Sequence, residues 1–309
     1  MKLAFVFPGQ GSQSVGMFNG FAGNATVEAA IAEASQAIGV DLWRLAADGP
    51  AEDLNLTTNT QPIMLAAGAA YFRAWREAGG AAPEVVAGHS LGEYTALVAA
   101  GSLTLAQGAA LVRFRAEAMQ TAVPVGIGAM AAILGLDGAR VAAVCAEAAE
   151  GEVVEAVNFN DTAQTVIAGH KAAVERACVL AKAAGAKRAL PLPVSAPFHS
   201  SLMKPAAERL AQRLADEALA VPSATLVNNV DVAIEADPAR IKDALVRQAA
   251  GAVRWVETVR QFEQLGVTHV VECGPGKVLA GLVKRIAPGL QVFNILDAAS
   301  LDATRAALA

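Results

Sequence analysis

Gly88-His89-Ser90-Leu91-Gly92 is the stretch that most narrows what this chain can become. A short apolar run, Val85-Val86-Ala87, precedes it, and a helical pattern from Leu91 to Ala100 follows. The spacing is G-x-S-x-G in a strand–turn–helix setting. A turn that sharp leaves no room for a side chain on either flank, so glycine stands at both. The geometry lifts the serine hydroxyl out of the fold. It also aims the first N–H groups of the helix at whatever the serine attacks. Ser90 is therefore a candidate nucleophile for acyl transfer. The plainer alternative, a strand-to-helix turn with a capping serine, is the weaker reading because the motif sits in the context of both a strand and a helix.

An elbow of this kind belongs to an α/β fold, and the rest of the chain reads that way. Leu3 to Phe7 is short and apolar, as a strand buried on both faces should be. Helical stretches follow near 25–38 and 62–78, then the elbow strand, then helices at 91–100 and 104–120. Val123-Pro124-Val125-Gly126 reads as a boundary. The rhythm then changes: strand 128–134, helix 138–150, strands 153–158 and 164–168, helix 171–184, strand 187–192. That βαββαβ order is a ferredoxin-like unit. The α/β pattern resumes with a helix at 202–219, a strand at 225–228 and helices at 238–249 and 254–265. A strand at 267–271 and a helix at 278–286 complete it. The expected organisation is a parallel-sheet core from 1–125 and 195–309, with 126–194 inserted as a ferredoxin-like subdomain.

Several classes of function are excluded. No apolar run approaches the ~18 residues a membrane span requires, and Met1–Phe7 ends at Pro8-Gly9 as a strand rather than a secretion signal. A cytoplasmic protein is expected. Cys145, Cys178 and Cys273 are odd in number and widely spaced, which suggests neither a disulfide framework nor a metal knuckle. A net charge of −5 carries no nucleic-acid signature. Gly9-Gln10-Gly11 follows a strand, but Ser14 stands where a dinucleotide fingerprint needs glycine. Gly276-Lys277 fails as a phosphate loop because Val271 and Val278 occupy its other positions. No cofactor or metal is expected. The turn at Gly9-Gln10-Gly11 suits a close backbone approach to a ligand and could complete an oxyanion hole.

A nucleophilic serine needs a base, and the chain holds four histidines. His89 adjoins Ser90 and cannot fold back on it, although it can line the site. His170 ends a strand of the inserted unit, and His269 reads as a satisfied core histidine. His199, in Pro197-Phe198-His199-Ser200 where the chain returns from the insertion, remains as the base. Arg113 and Arg115 lie two apart in an apolar helical run, so they cannot share a face. At most one follows the solvent stripe; the other points inward and needs an anion.

These residues carry a family resemblance. The chain resembles the malonyl-CoA:acyl carrier protein transacylases, of the acyltransferase family of fatty acid and polyketide synthesis, over essentially its full length. The resemblance rests on Phe7-Pro8-Gly9-Gln10-Gly11-Ser12-Gln13, Gly88-His89-Ser90-Leu91-Gly92-Glu93-Tyr94, and Arg113 and Arg115 followed by Met119-Gln120. Ala168-Gly169, Pro197-Phe198-His199-Ser200 and Glu272-Cys273-Gly274-Pro275-Gly276 extend it. It implies a hydrolase-like α/β core with an inserted ferredoxin-like subdomain. It implies Ser90 as nucleophile, His199 as base, and the N–H groups of Gln10 and Leu91 as the oxyanion hole. Arg115 would clamp the malonyl carboxylate, with Met119, Asn160 and Phe198 at the substrate. A backbone carbonyl at Gln248 would orient the histidine in place of a triad acid. Phe198 is what malonyl-selective members tend to carry and should crowd an α-methyl branch. Thr162 and Ala252 stand where the family often has proline, which concerns loop rigidity. The implied partners are a coenzyme A thioester and an acyl carrier protein bearing phosphopantetheine, with the enzyme itself monomeric.

Three alternatives are open. A serine thioesterase or esterase shares the elbow but places an acid between serine and histidine, for which Asp137 and Asp161 are the candidates. A polyketide-loading acyltransferase would look much the same as a fatty-acid one. A non-catalytic carrier-binding protein would have an unreactive Ser90. Because acyl carrier proteins are acidic and this chain is negative, docking calls for a local basic surface. Lys182, Lys187, Arg188, Lys204, Lys284 and Arg285 are the candidates.

Overall fold

The computed structural model describes residues 1–194 and 196–309; the boundary expected at 194/195 therefore touches a position outside the described residues. Among the described residues, ten strands form two sheets. They are β1 (Leu3–Phe7), β2 (Val85–Gly88), β3 (Gly128–Leu134), β4 (Val154–Asp161), β5 (Gln164–His170), β6 (Arg188–Pro191), β7 (Thr225–Val227), β8 (Ile234–Glu235), β9 (His269–Cys273) and β10 (Gln291–Ile295).

The larger sheet has the order β10-β9-β1-β2-β7-β8 and is parallel except for β8, which runs antiparallel to β7. The central strands are buried on both faces, and the period-2 rule divides their side chains between two cores. Leu3, Phe5, Phe7, Val86, Val271 and Cys273 face the larger core. The helices Ala25–Ile38, Thr57–Glu77, Gly92–Ala99, Leu105–Gln120 and Pro238–Ala249 contribute to that core. Ala4, Val6, Val85, Ala87 and Val270 face the opposite core, covered by Trp255–Gln264 and Val278–Ile286. Helices on both faces of a parallel sheet make this an α/β fold.

The smaller sheet has the order β4-β5-β3-β6 and is antiparallel throughout. Its helices, Gly138–Ala148 and Lys171–Ala183, close a third core with Ala131, Ile133 and Ile167. Met130, Ala132, Val166 and Ala168, on the other face, pack into the larger core. The end of β4 is also laced to the larger body: Val253 donates to the Val157 carbonyl and Phe159 donates to the Val253 carbonyl. Asp161 forms an ion pair with Arg285.

Some boundaries differ from expectation. The helix expected from 62 begins at Thr57, with Pro62 inside it. The helix expected at 202–219 is a 3-10 turn, Ser201–Met203, followed by Lys204–Ala215. The strand expected at 267–271 is β9 at His269–Cys273, two residues later, because its register is set by pairing with β1 from Leu3↔His269 to Val6↔Glu272. Glu272 is tolerated in this buried strand because its carboxylate accepts from the Leu279 and Ala280 N–H groups at the start of a helix. His269 is accordingly not a core histidine. It is half-buried, bonded to Thr268 and stacked on Phe293. The last strand, β10, and the helix Ala298–Ala307 were not anticipated. Among the described residues, no helix is long and apolar enough to cross a membrane.

Candidate active site

The two strands at the centre of the large sheet end side by side, and the site is built on their carboxyl ends. After β1 the chain turns at Gly9-Gln10-Gly11; after β2 it turns through the elbow. Both turns depend on glycine for close approach. A Cβ at Gly92 would stand 2.1 Å from the Phe7 carbonyl oxygen, and one at Gly88 would stand 1.9 Å from Gly92 backbone. A Cβ at Gly9 would come within 2.7 Å of the His89 carbonyl oxygen. Ser90 itself has φ +55°, a left-handed backbone that costs a non-glycine residue energy and is held only by its surroundings.

Those surroundings are specific. Ser90 N–H donates to Asn229 Oδ1 at 2.7 Å, and Asn229 Nδ2 donates to the Gly88 carbonyl at 2.6 Å. Gln248 Nε2 donates to the Ser90 carbonyl and to Glu93 Oε2, each at 2.9 Å. Glu93 Oε2 also accepts from Asn229 N–H at 3.0 Å. Both peptide groups of the strained serine are thus tied to buried side chains from distant parts of the chain.

Ser90 Oγ lies 2.6 Å from His199 Nε2, and His199 Nδ1 lies 2.9 Å from the Gln248 carbonyl oxygen. A carbonyl can only accept, so Nδ1 carries the proton and Nε2 presents its lone pair to the serine. His199 is buried, and its pKa is pushed down to about 3, first by burial and then by the Arg115 charge. The imidazole is neutral near pH 7, the state a general base requires. Of the acids a hydrolase would use, Asp137 caps the helix Gly138–Ala148 and Asp161 pairs with Arg285. A carbonyl, not a carboxylate, holds the histidine.

Arg115 resolves the ambiguity between the two arginines. It is 2 % exposed. Its Nη1 donates to Gln61 Oε1 at 2.8 Å, and its Nη2 donates to Gln248 Oε1 at 3.0 Å and to Ser90 Oγ at 3.2 Å. The guanidinium carbon sits 5.5 Å from the Tyr94 ring centroid. The guanidinium makes no ion pair with any described residue. The buried Glu93 is joined to it through the Gln248 amide and also feels its charge, but burial outweighs both and raises that carboxyl to about 7. Arg113 is half-buried and paired with Glu117 at 2.7 Å.

The other expected residues fall as follows. The N–H groups of Gln10 and Leu91 donate to no protein acceptor among the described residues, which leaves both available at the two turns. The Gln10 side chain accepts from Thr57 Oγ1 at 2.8 Å. Asn160, on β4, has its Oδ1 2.7 Å from His89 Nε2 and so joins the elbow to the small sheet. Phe198 is buried beside His199, and Met119 is buried one turn beyond Arg115. No polar contact connects Met119 to the site. Gln61, Glu93 and Asn229 were not anticipated. Their signal was a polar residue in an apolar stretch: Gln61 before Pro62-Ile63-Met64-Leu65, and Glu93 two residues past Leu91 in the elbow helix. Asn229 stands just beyond β7, the neighbour of β2, at the end of the sheet where an α/β fold builds its sites.

Comparison with known proteins finds relatives along nearly the whole chain. Residues 4–295 match the acyl transferase domain family. A malonyl CoA-acyl carrier protein transacylase of Salmonella typhimurium is 55 % identical over 303 residues, covering 98 % of each chain. The protein of that name in Bacillus subtilis is 43 % identical, covering 97 % of this chain and 95 % of its own. Among solved structures, an acyl-carrier-protein S-malonyltransferase from Burkholderia pseudomallei superposes with a TM-score of 0.98 at 65 % identity, covering 99 % of this chain and 100 % of its own. A malonyl-transacylase in complex with a type II polyketide acyl carrier protein superposes with a TM-score of 0.98 at 51 % identity, again covering 99 % and 100 %.

Proposed function

The chain belongs to the acyl transferase domain family, and from that premise we propose that it moves malonyl from malonyl-CoA to the phosphopantetheine thiol of an acyl carrier protein. One observation carries the choice of acyl group: a buried guanidinium without a carboxylate partner lies 3.2 Å from the hydroxyl that would attack. A buried guanidinium held by neutral groups, with no carboxylate bound to it, is costly, so a site that maintains one is suited to an anionic substrate.

In this reading His199 Nε2 takes the Ser90 proton as Oγ attacks the thioester carbonyl. The developing oxyanion sits against the Gln10 and Leu91 N–H groups, where one donor is typically worth ~3 kcal/mol in the transition state. The tetrahedral centre collapses, the C–S bond breaks, and the coenzyme A thiolate leaves with the proton returned by His199. The product is a malonyl ester of Ser90, whose carboxylate meets Arg115. The carrier thiol then gives its proton to His199 and attacks the ester, restoring Ser90. Gln248 serves twice: its carbonyl orients His199, and its side-chain oxygen orients Arg115.

Fatty acid synthesis is the pathway this reading assigns. A polyketide carrier is the second reading, favoured by the likeness to a transacylase solved with a type II polyketide carrier. We read residues 126–194 as an inserted ferredoxin-like unit on a hydrolase-like core, supported by the βαββαβ element order and the β4-β5-β3-β6 sheet. The test is an intact-mass spectrum after mixing with malonyl-CoA. One malonyl adduct is expected, absent in Ser90→Ala, with His199→Ala slowed by about 10²–10⁴-fold. Labelling that persists in Ser90→Ala would overturn the assignment.

A further inference from the structure

Pro62 is the sixth residue of the helix Thr57–Glu77. It has no N–H, so the Thr58 carbonyl lacks its i+4 donor, and the proline ring pushes that carbonyl outward. The structure fills the gap from another helix. Arg113 Nη1 donates to the Thr58 carbonyl at 3.0 Å and to Asn59 Oδ1 at 3.1 Å, while Arg113 Nε holds Glu117 at 2.7 Å. The residue just before the proline is Gln61, whose Oε1 accepts from Arg115 Nη1. Gln61 Nε2 lies 3.4 Å from Thr57 Oγ1, which donates to Gln10 Oε1. The first turns of this helix thus connect the turn after β1 to the guanidinium beside Ser90. They are secured by a second arginine on the same helix as Arg115. The two arginines leave Leu105–Gln120 on different faces, yet both end on the proline-broken start of Thr57–Glu77.

We propose that Arg113 is a positioning residue for acyl-group selectivity: it supplies the donor that Pro62 lacks, fixes the turn carrying Gln61, and so holds Arg115 in register with the malonyl carboxylate. This rests on Arg115 being the carboxylate clamp. Loss of Arg113 should act on malonyl transfer and leave acetyl transfer largely unaffected, because acetyl has no carboxylate to register.

The test uses the full chain, with kcat and KM measured separately for malonyl-CoA and acetyl-CoA. Arg113→Met, which keeps the aliphatic stem, should lower kcat/KM for malonyl-CoA by about 10-fold, since small misplacements at a site are costly. Acetyl transfer should change by less than about 2-fold. Pro62→Ala restores an N–H to the Thr58 carbonyl. Alone it should be near wild type; combined with Arg113→Met it should recover most of the lost malonyl activity. Thermal midpoints recorded alongside identify any variant that is merely unfolded. Unchanged malonyl kinetics in Arg113→Met, an equal fall for both acyl groups, or no rescue by Pro62→Ala would each overturn the inference. Arg115→Ala serves as the control. If it fails to separate malonyl from acetyl, the clamp reading itself is wrong; if it separates them and Arg113→Met does not, only the positioning role is wrong.

Discussion

Replacing Arg115 by alanine should convert a malonyl-selective site into one that no longer distinguishes acyl groups by charge. The guanidinium donates to Gln61, Gln248 and Ser90. Its removal strands two buried glutamine oxygens, a stability cost the folded protein bears with or without substrate. What differs between substrates is the terminal carboxylate. A charge-assisted bond is worth about 1.5–3 kcal/mol, and a bidentate pair lies toward the upper end. Leaving the carboxylate unpaired in a buried site adds to the loss. About 3 kcal/mol of malonyl-specific stabilisation corresponds to roughly 10²-fold in rate. The assay compares kcat/KM for malonyl-CoA and acetyl-CoA in wild type, Arg115→Ala and Arg115→Lys. Malonyl-CoA should lose at least ~10²-fold, while acetyl-CoA loses little or gains. Lysine keeps the charge but not the planar fork, so it should recover only part. A fall by the same factor for both substrates would refute the reasoning and make Arg115 structural.

Two further outcomes follow from the same site and its surface. Burial and the Arg115 charge together hold His199 down at about 3, so the acid limb of acylation should lie well below pH 6.5. Removing a cation favours protonation, so Arg115→Ala should move that limb upward in a pH series of acetyl-enzyme formation; a limb that stays or moves down would contradict the account. Lys204 and Lys284 are exposed and make no ion pair with any described residue, whereas Arg285 is engaged with Asp161. Charge reversal at both lysines should raise the carrier-protein KM and flatten its salt dependence without altering malonyl-Ser90 formation. An unchanged KM would place docking elsewhere.

The elbow was legible in the sequence because steric exclusion leaves a local mark: only glycine survives at positions 88 and 92. The buried strands were legible because burial on both faces removes polar residues from Leu3–Phe7. The arginine pair was half legible, since spacing showed that the two could not share an environment but not which turned inward. Gln248 entered through resemblance alone, because a backbone carbonyl carries no side-chain signature. Its amide, bonded to Arg115, Ser90 and Glu93, was not foreseen, since nothing local to residue 248 records partners 133 to 158 positions away. The last strand carries no legible pattern for a different reason. Gln291–Ile295 is an edge strand of mixed polarity, and its place is set by parallel pairing with β9 rather than by its own pattern.

The tethering of Ser90 also sets when the protein can become reactive. The elbow is synthesised early, but the groups that hold its peptide units, Asn229 and Gln248, lie 139 and 158 residues later. Domains generally fold as units as the chain emerges, and contacts this distant form late. A nascent chain that has passed residue 90 but not 248 contains the serine without its geometry, its oriented histidine or its steadied arginine. On the roles proposed for these residues, such a chain should form no malonyl ester at Ser90. The full set of tethers exists only once Gln248 has been made.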